Sequence, residues 1–423
     1  MLTFFGDILV IVLTFCIFVK RNIGIYGHPF QKAQNAYFAS KYRNHQGCNE
    51  HNQVGQAPGC HSRVARSRQT TLMRQYIKKN YGVQAGEALY CLLDSMYFTN
   101  HSLLDLAENF HLMGGKHLFL DEVHKYPTWS KEIKEIIDLY PNMKIVFSGS
   151  SLLQILNADA DLSRRVSSND IAGLSFREFL RFYHKIDLPV FSWNDILSDA
   201  DTISDTICKK CHPQPLFNAY LKAGYYPFFD GDVDDYYNRI ENVVNFIIEQ
   251  EMTELCGVEP SNTRKLKAML MFLCNNVPYE VNIAKLASYL ELNKATVLSY
   301  LSSMDKAELL NLLYSSVVSV TKMQKPDKIY IQNPNILYAL CTRENIGTVR
   351  ECFFVNQLSR NHTVEYGKSR GDFLIDGNVT VEVGGKDKSF DQIADVPNSY
   401  VFADEIEFPV GKKIPLYLAG CLY

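Results

Sequence analysis

Charge of one sign is what this sequence lacks. Its 43 lysines and arginines face 46 aspartates and glutamates, a net of −3. No whole-molecule field therefore draws it to nucleic acid, and any such surface has to be a local patch. Long apolar runs are missing too. The stretch from Ile8 to Val19 falls short of the roughly 20 residues a membrane-spanning helix needs. It has no basic segment before it and no small-residue cleavage site after it, which argues against a signal peptide. Lys20 and Arg21 follow it, so a weak N-terminal membrane anchor at residues 8–19 is the alternative to a cytoplasmic chain. Repeats and low-complexity tracts are absent. The eleven cysteines, Cys16, Cys91, Cys274 and Cys352 among them, are scattered through apolar segments. That scatter excludes a disulfide framework and reads as reduced thiols.

One cysteine cluster has a motif's spacing. Cys208-Lys209-Lys210-Cys211-His212 has the pattern of a c-type haem attachment and, less closely, of a zinc site. Haem needs export and a second axial ligand, and the surroundings read as a linker between helices. The expectation is no haem and two accessible thiols.

What the sequence does have is enough apolar content for packed cores, 47% hydrophobic and 12% aromatic over 423 residues, which suits two or three domains. Residues 1–68 differ from the rest. Residues 24–68 are rich in Asn, Gln, His, Arg and Gly and follow neither helical nor strand period. From Thr70 on, short apolar strands at 88–93, 117–120 and 144–147 alternate with amphipathic helices at 71–80, 103–112 and 130–139, the last read as capped by Ser130. This alternation predicts a parallel α/β sheet. After Ser175 the pattern turns helical. Helices at 264–274, 283–290 and 295–307 with strands at 309–315 and 328–332 then predict a winged helix. A last unit starts near Val349 with a helix and three strands.

The chemistry-bearing segment is Lys116-His117-Leu118-Phe119-Leu120-Asp121-Glu122. An apolar strand buried on both faces and ending in two acids has the form of a Walker B motif, with the acids at the strand end where such sheets bind ligands. Asp121 would hold Mg²⁺ and Glu122 would polarise the attacking water. A strand that merely ends at a charged turn would read the same way. The next strand ends in Ser148-Gly149-Ser150-Ser151, hydroxyls suited to a γ-phosphate or to capping a helix. Asp161-Leu162-Ser163-Arg164-Arg165 follows; an arginine there can stabilise phosphoryl charge or form a surface ion pair.

Several blocks in order carry a resemblance: GGKHLFLDEVHKYPTWSKEIK, KIVFSGSS, ADLSRRV, GLSFREFL, YLKAGYYPFF and EVGGK. From about Gln69 to Tyr423 the chain resembles the prokaryotic AAA-type P-loop ATPases with a C-terminal domain of unknown function. The resemblance implies ATP and Mg²⁺ as ligands, Asp121 and Glu122 as the Walker B acids, Ser148 and Ser150 at the sensor strand end, and Arg165 as the arginine before the LSF block. It implies Thr70 as the metal-ligating hydroxyl, with Thr71 beside it.

One departure is large. The family's loop ends Gly-Lys-Thr-Thr, whereas this chain reads Arg63-Val64-Ala65-Arg66-Ser67-Arg68-Gln69-Thr70-Thr71. Glycine lets such a loop wrap its N–H groups round a phosphate, and lysine neutralises the β/γ-phosphates. Neither is present. Either residues 1–69 come from another reading frame or a replaced segment, or the chain is a divergent pseudo-ATPase.

Two further surfaces are expected. Lys294, Ser299, Ser302 and Ser303 on the third winged-helix helix, with Lys322, Lys325 and Lys328 along the wing, offer DNA phosphates a patch or else pack on the ATPase core. The last unit resembles a restriction-endonuclease-like core, with Glu351 on a helix and Asp372, Glu382 and Lys386 as a second metal set. The expected organisation is an atypical segment at 1–68, an AAA-type P-loop core at 69–200, a helical lid at 201–258, a winged helix at 259–345 and a nuclease-like domain at 346–423. The expected activity is ATP binding, defective in this chain. The alternative is a non-catalytic scaffold for DNA or a protein client.

Overall fold

The computed structural model describes residues 63–81, 85–149, 166, 172–253, 258–276, 278–315, 325–341, 345–368 and 370–423. The apolar run at 8–19, Ser150 and Arg165 lie outside them, as does the side chain of Thr71. The chain divides into two compact units, residues 1–171 and 172–423. Residues 172–200, grouped with the ATPase core on sequence, pack within the second unit. There Ser175 Oγ donates to the carbonyl of Tyr423 at 2.7 Å and Phe191 N to that of Cys421 at 3.1 Å.

The first unit is a three-layer α/β arrangement. Strands β1 (Ala88–Leu92), β2 (His117–Asp121) and β3 (Lys144–Phe147) form a parallel sheet in that order. Helix α1 (Arg63–Tyr81) covers one face, where Met73, Ala88, Phe119 and Val146 are buried together. Helices α2 (Leu103–Leu112) and α3 (Trp129–Leu139) cover the other with Leu106, Phe110, Ile133 and Ile136 against Leu118, Leu120, Ile145 and Phe147. A strand with helices on both faces needs apolar residues at every position. Burying a side chain such as Phe119 contributes about 2–3 kcal/mol.

Local signals fix the ends. Ser102 and Asp105 make a reciprocal capping box that starts α2. Gly114 then turns the chain with φ 84°, and a Cβ on Gly115 would lie 2.4 Å from the Phe110 ring. Two expectations need correcting. Ser130 lies inside α3, whose N-cap is Thr128. Helix α1 starts at Arg63 rather than near Thr71, because nothing between these residues is glycine or proline and the arginines, alanine and glutamine favour helix.

The second unit begins with α4 (Phe176–His184), α5 (Trp193–Ser198), α6 (Ala200–Cys208), α7 (Pro213–Ala223) and α8 (Val233–Phe246), the last running into a π-helical turn at Ile247–Glu251. Helices α9 (Thr263–Cys274), α10 (Ile283–Leu290) and α11 (Lys294–Lys306) follow. They accompany an antiparallel sheet ordered β4 (Tyr279–Glu280), β6 (Lys328–Ile331), β5 (Leu310–Leu313). Helices α12 (Pro334–Leu340) and α13 (Ile346–Leu358) lead to a five-stranded mixed sheet. In it β7 (Val364–Tyr366), β8 (Phe373–Ile375) and β9 (Val379–Gly384) are antiparallel neighbours, and β10 (Ser399–Ala403) and β11 (Lys413–Pro415) continue in parallel.

A buried amide network ties these parts together. Asn335 Oδ1 accepts from Tyr225 N at 2.8 Å and Tyr236 Oη at 2.6 Å, while its Nδ2 donates to the Leu221 carbonyl at 2.7 Å. No helix among the described residues is long and apolar enough to cross a membrane.

Candidate functional sites

In the first unit three hydroxyls, from α1, from β1 and from just past β3, converge on one carboxylate at the end of β2. Asp121 is fully buried. Its Oδ2 accepts from Thr70 Oγ1 and, at 2.5 Å, from Tyr90 Oη, and its Oδ1 accepts from Ser148 Oγ. Parallel register sets this up. Tyr90 lies opposite Phe119, and the ladder runs on past β2 as Ser148 N donates to Leu120 O at 2.8 Å and Val123 N to Ser148 O at 3.0 Å. An ionised carboxylate has about four acceptor positions, so three donors stabilise the charge and leave room for one more contact.

Glu122 follows in a left-handed conformation, φ 59° and ψ 41°. A non-glycine residue there costs on the order of 1 kcal/mol, and such strain gathers at functional sites. Its carboxylate is buried, with Oε2 3.5 Å from His124 Nε2. Tyr90 was not anticipated. The one signal for it is a polar-tipped side chain in the otherwise apolar Ala88-Leu89-Tyr90-Cys91-Leu92 strand, and its ring also carries the Arg74 guanidinium at 4.7 Å.

Thr70, Asp121 and Ser148 form an oxygen set of the kind Mg²⁺ takes, directly or through water. The phosphate side does not fit. Residues 63–71 are helical, so their interior N–H groups point along the α1 axis to carbonyls one turn back rather than converging on an anion. Neither glycine nor lysine stands where the loop needs it. The strand ends therefore gather oxygens that could hold a cation, with neither the glycine nor the lysine of a phosphate-binding loop before Thr70.

The second unit gathers another charged set. Glu351 on α13 accepts from Tyr330 Oη at 2.5 Å and lies 3.4 Å from Lys328 Nζ. Asp372 precedes β8 and accepts from Val383 N at 2.9 Å. Glu382 on β9 is buried and pairs with Lys388 Nζ at 2.5 Å. Burial pushes the Glu382 and Glu351 carboxyls up, Asp372 adds to both, and the lysines oppose it. Burial alone would lower the Lys388 ammonium, but Glu382, Asp372 and Glu351 outweigh it and raise it.

The lysine beside Glu382 is thus Lys388, not Lys386, whose carbonyl accepts from Lys413. Strand β9 ends at Gly384, and the chain folds back so closely that a Cβ there would lie 2.8 Å from the Lys388 stem. Nor is Lys328 free for DNA: it is buried on β6 toward Glu351. Lys322 lies outside the described residues.

The Cys208–His212 segment joins α6 to α7. Burial raises both thiols, and Cys211 Sγ donates to the Ile207 carbonyl at 3.7 Å. Among the described residues no group of three or more His, Cys, Asp or Glu is disposed to hold a metal ion.

Comparison with known proteins gives these features relatives. Residues 67–180 match the AAA domain family, and residues 214–346 match a domain of unknown function, DUF8612. Two uncharacterized proteins of Methanocaldococcus jannaschii are each 24% identical. MJ1637 matches over 77% of this chain and 74% of its own length, and MJ1544 over 74% and 75%. Among solved structures, the Aeropyrum pernix Orc1 protein in complex with DNA is 11% identical, covering 77% of this chain and 92% of that one, with a TM-score of 0.28. A Thermotoga maritima RuvB variant is 14% identical, covering 68% and 89%, with a TM-score of 0.21. Residues 67–180 are thus an AAA-type domain, and residues 214–346 belong to a second domain family of unknown function.

Proposed function

We propose that this is an AAA-type nucleotide-binding protein whose chain, as it stands, does not hold nucleotide. The observation that carries the reading is the convergence of Thr70, Tyr90 and Ser148 on the buried Asp121 at the C-terminal strand ends. That is where an open parallel sheet binds ligands. The AAA match over residues 67–180 supports it. The missing cradle sets the defect, because α1 offers ATP neither converging amides nor the lysine charge. Titration calorimetry with ATP·Mg²⁺ tests it: no heat of binding at micromolar concentration is expected, and a micromolar Kd would sink the reading.

A second reading concerns the C-terminal unit. Helix α13 followed by an antiparallel β7-β8-β9 meander and a parallel β10 has a restriction-endonuclease-like order. Glu351, Asp372, Glu382 and Lys388 are electrostatically coupled across it. In this reading Asp372 and Glu382 take a divalent cation and Lys388 orients water. The preceding helices and β4-β6-β5 sheet act as a winged helix. Incubation of the full chain with plasmid DNA and Mg²⁺ or Mn²⁺ tests it, with cation-dependent nicking that Glu382→Gln abolishes as the expected result. An uncut plasmid sets nuclease chemistry aside and leaves a binding scaffold.

A further inference from the structure

The two halves of the first site disagree. Thr70 reaches Asp121 from α1, as the metal-ligating threonine of a P-loop helix would, yet the residues before it have no loop chemistry. The sheet carries the same mismatch. Strand β3 is buried at Ile145, Val146 and Phe147, as an interior parallel strand is, but among the described residues it pairs only with β2. Edge strands are ordinarily blunted by charge or left half exposed. Both observations point to a strand and loop that belong beside β3 and before Thr70.

The genetic code supplies them. Shifted one base downstream, each codon gives its last two bases plus the first base of the next. An arginine codon ending in GG then encodes glycine. Arg63 and Arg68 both admit such codons, CGG or AGG, and four residues separate them. That is the spacing of the two glycines in Gly-x-x-x-x-Gly-Lys-Thr. Gln69 as CAA, followed by the A that opens every threonine codon, gives AAA, which is lysine. One more adenine in that run returns Thr70 and Thr71 to their present frame. Upstream, the shift leaves little choice. Cys60 followed by His61 can encode only valine or alanine, and His61 followed by Ser62 only isoleucine or threonine. Gly59 can become valine and Pro58 leucine. A β-prone run then leads into the first glycine.

We propose that residues 57–69 stand where the adjacent reading frame encodes a β-strand and phosphate-binding loop, displaced by the loss of one adenine at the Gln69–Thr70 junction. The restored strand pairs in parallel with β3 on the side away from β2. The restored loop replaces the first turns of α1, and its amides and lysine take the phosphates of a nucleoside triphosphate. This rests on the AAA reading of the Thr70–Asp121 site.

The test begins with the codons. Sequencing the gene over residues 57–71 is expected to show Arg63 and Arg68 as codons ending in GG and Gln69 as CAA. Any other third base at one of these positions overturns the inference and leaves the proposed function untouched. Next, the gene with one adenine inserted at that junction is translated from a start codon set in the adjacent frame upstream of residue 57, so that the new strand and loop run into an unchanged Thr70, and its product is compared with the chain as it stands. It is expected to melt at higher temperature and to bind ATP·Mg²⁺ at least about a hundredfold more tightly. A folded, inserted product that does not bind ATP overturns the phosphate assignment. Micromolar binding by the unaltered chain would instead defeat the proposed function. The triple substitution Arg63→Gly, Arg68→Gly, Gln69→Lys keeps the test available if the inserted product is insoluble. It is expected to gain measurable ATP binding without the upstream change, and no gain in a folded triple variant counts against the loop.

Discussion

Thr70 donates its hydroxyl to the buried carboxylate of Asp121, so the first helix of the AAA domain is tied directly to the acid at the end of β2. Removing the hydroxyl leaves that carboxylate with Tyr90 and Ser148 alone. Thr70→Val is expected to lower stability by about 1–3 kcal/mol, as expected for loss of a hydrogen bond to a buried charge. Chemical denaturation checks this; an unchanged midpoint would show that the contact contributes nothing.

The lysine beside Glu382 gives a second prediction. Lys388→Ala strands a buried carboxylate and is expected to cost about 2 kcal/mol, below the fully buried range because the ammonium is partly exposed. Lys386→Ala is expected to be neutral. Equal melting temperatures for the two variants would contradict the pairing.

Asn335 satisfies Tyr225 N, Tyr236 Oη and the Leu221 carbonyl at once. Asn335→Ala removes three hydrogen bonds between buried groups and is expected to destabilise the second unit by about 3 kcal/mol. A loss under about 1 kcal/mol would mean that the network relaxes around the gap.

Acid sensitivity of the first unit follows from His117. Burial lowers its pKa, with Lys144 adding to the effect, and its Nδ1 has no hydrogen-bond partner among the described residues. A histidine whose folded pKa lies below its unfolded value contributes stability that is present above the unfolded value, about 6.5. That contribution is lost as pH falls through the folded value. Stability should therefore decline from pH 7 toward pH 5, and His117→Phe should flatten that decline. An unchanged pH profile in the variant would assign the decline to other groups.

Much of this was legible in the sequence. The strands at 117–120 and 144–147 could be read because burial on both faces demands apolar runs, and α2 from its apolar residues at helical spacing. Tyr90 could not be singled out, since its contact with Asp121 depends on the β1–β2 register, which no local pattern specifies. Lys386 reads as the lysine of the set because side-chain parity would carry it to the face of Glu382 if the strand continued, but β9 stops at Gly384 and Lys388 takes that place. The early start of α1 was hidden because residues 63–69 have no amphipathic period, although nothing in them breaks a helix.

The measurement that bears most directly on the account is titration of the unaltered full-length chain with ATP·Mg²⁺, followed by calorimetry. The absence of converging amides and a lysine before Thr70 predicts no binding up to near-millimolar nucleotide, with Asp121, Tyr90 and Ser148 still in place. A micromolar Kd from the same titration would contradict it, because the phosphates would then be held by groups other than a phosphate-binding loop.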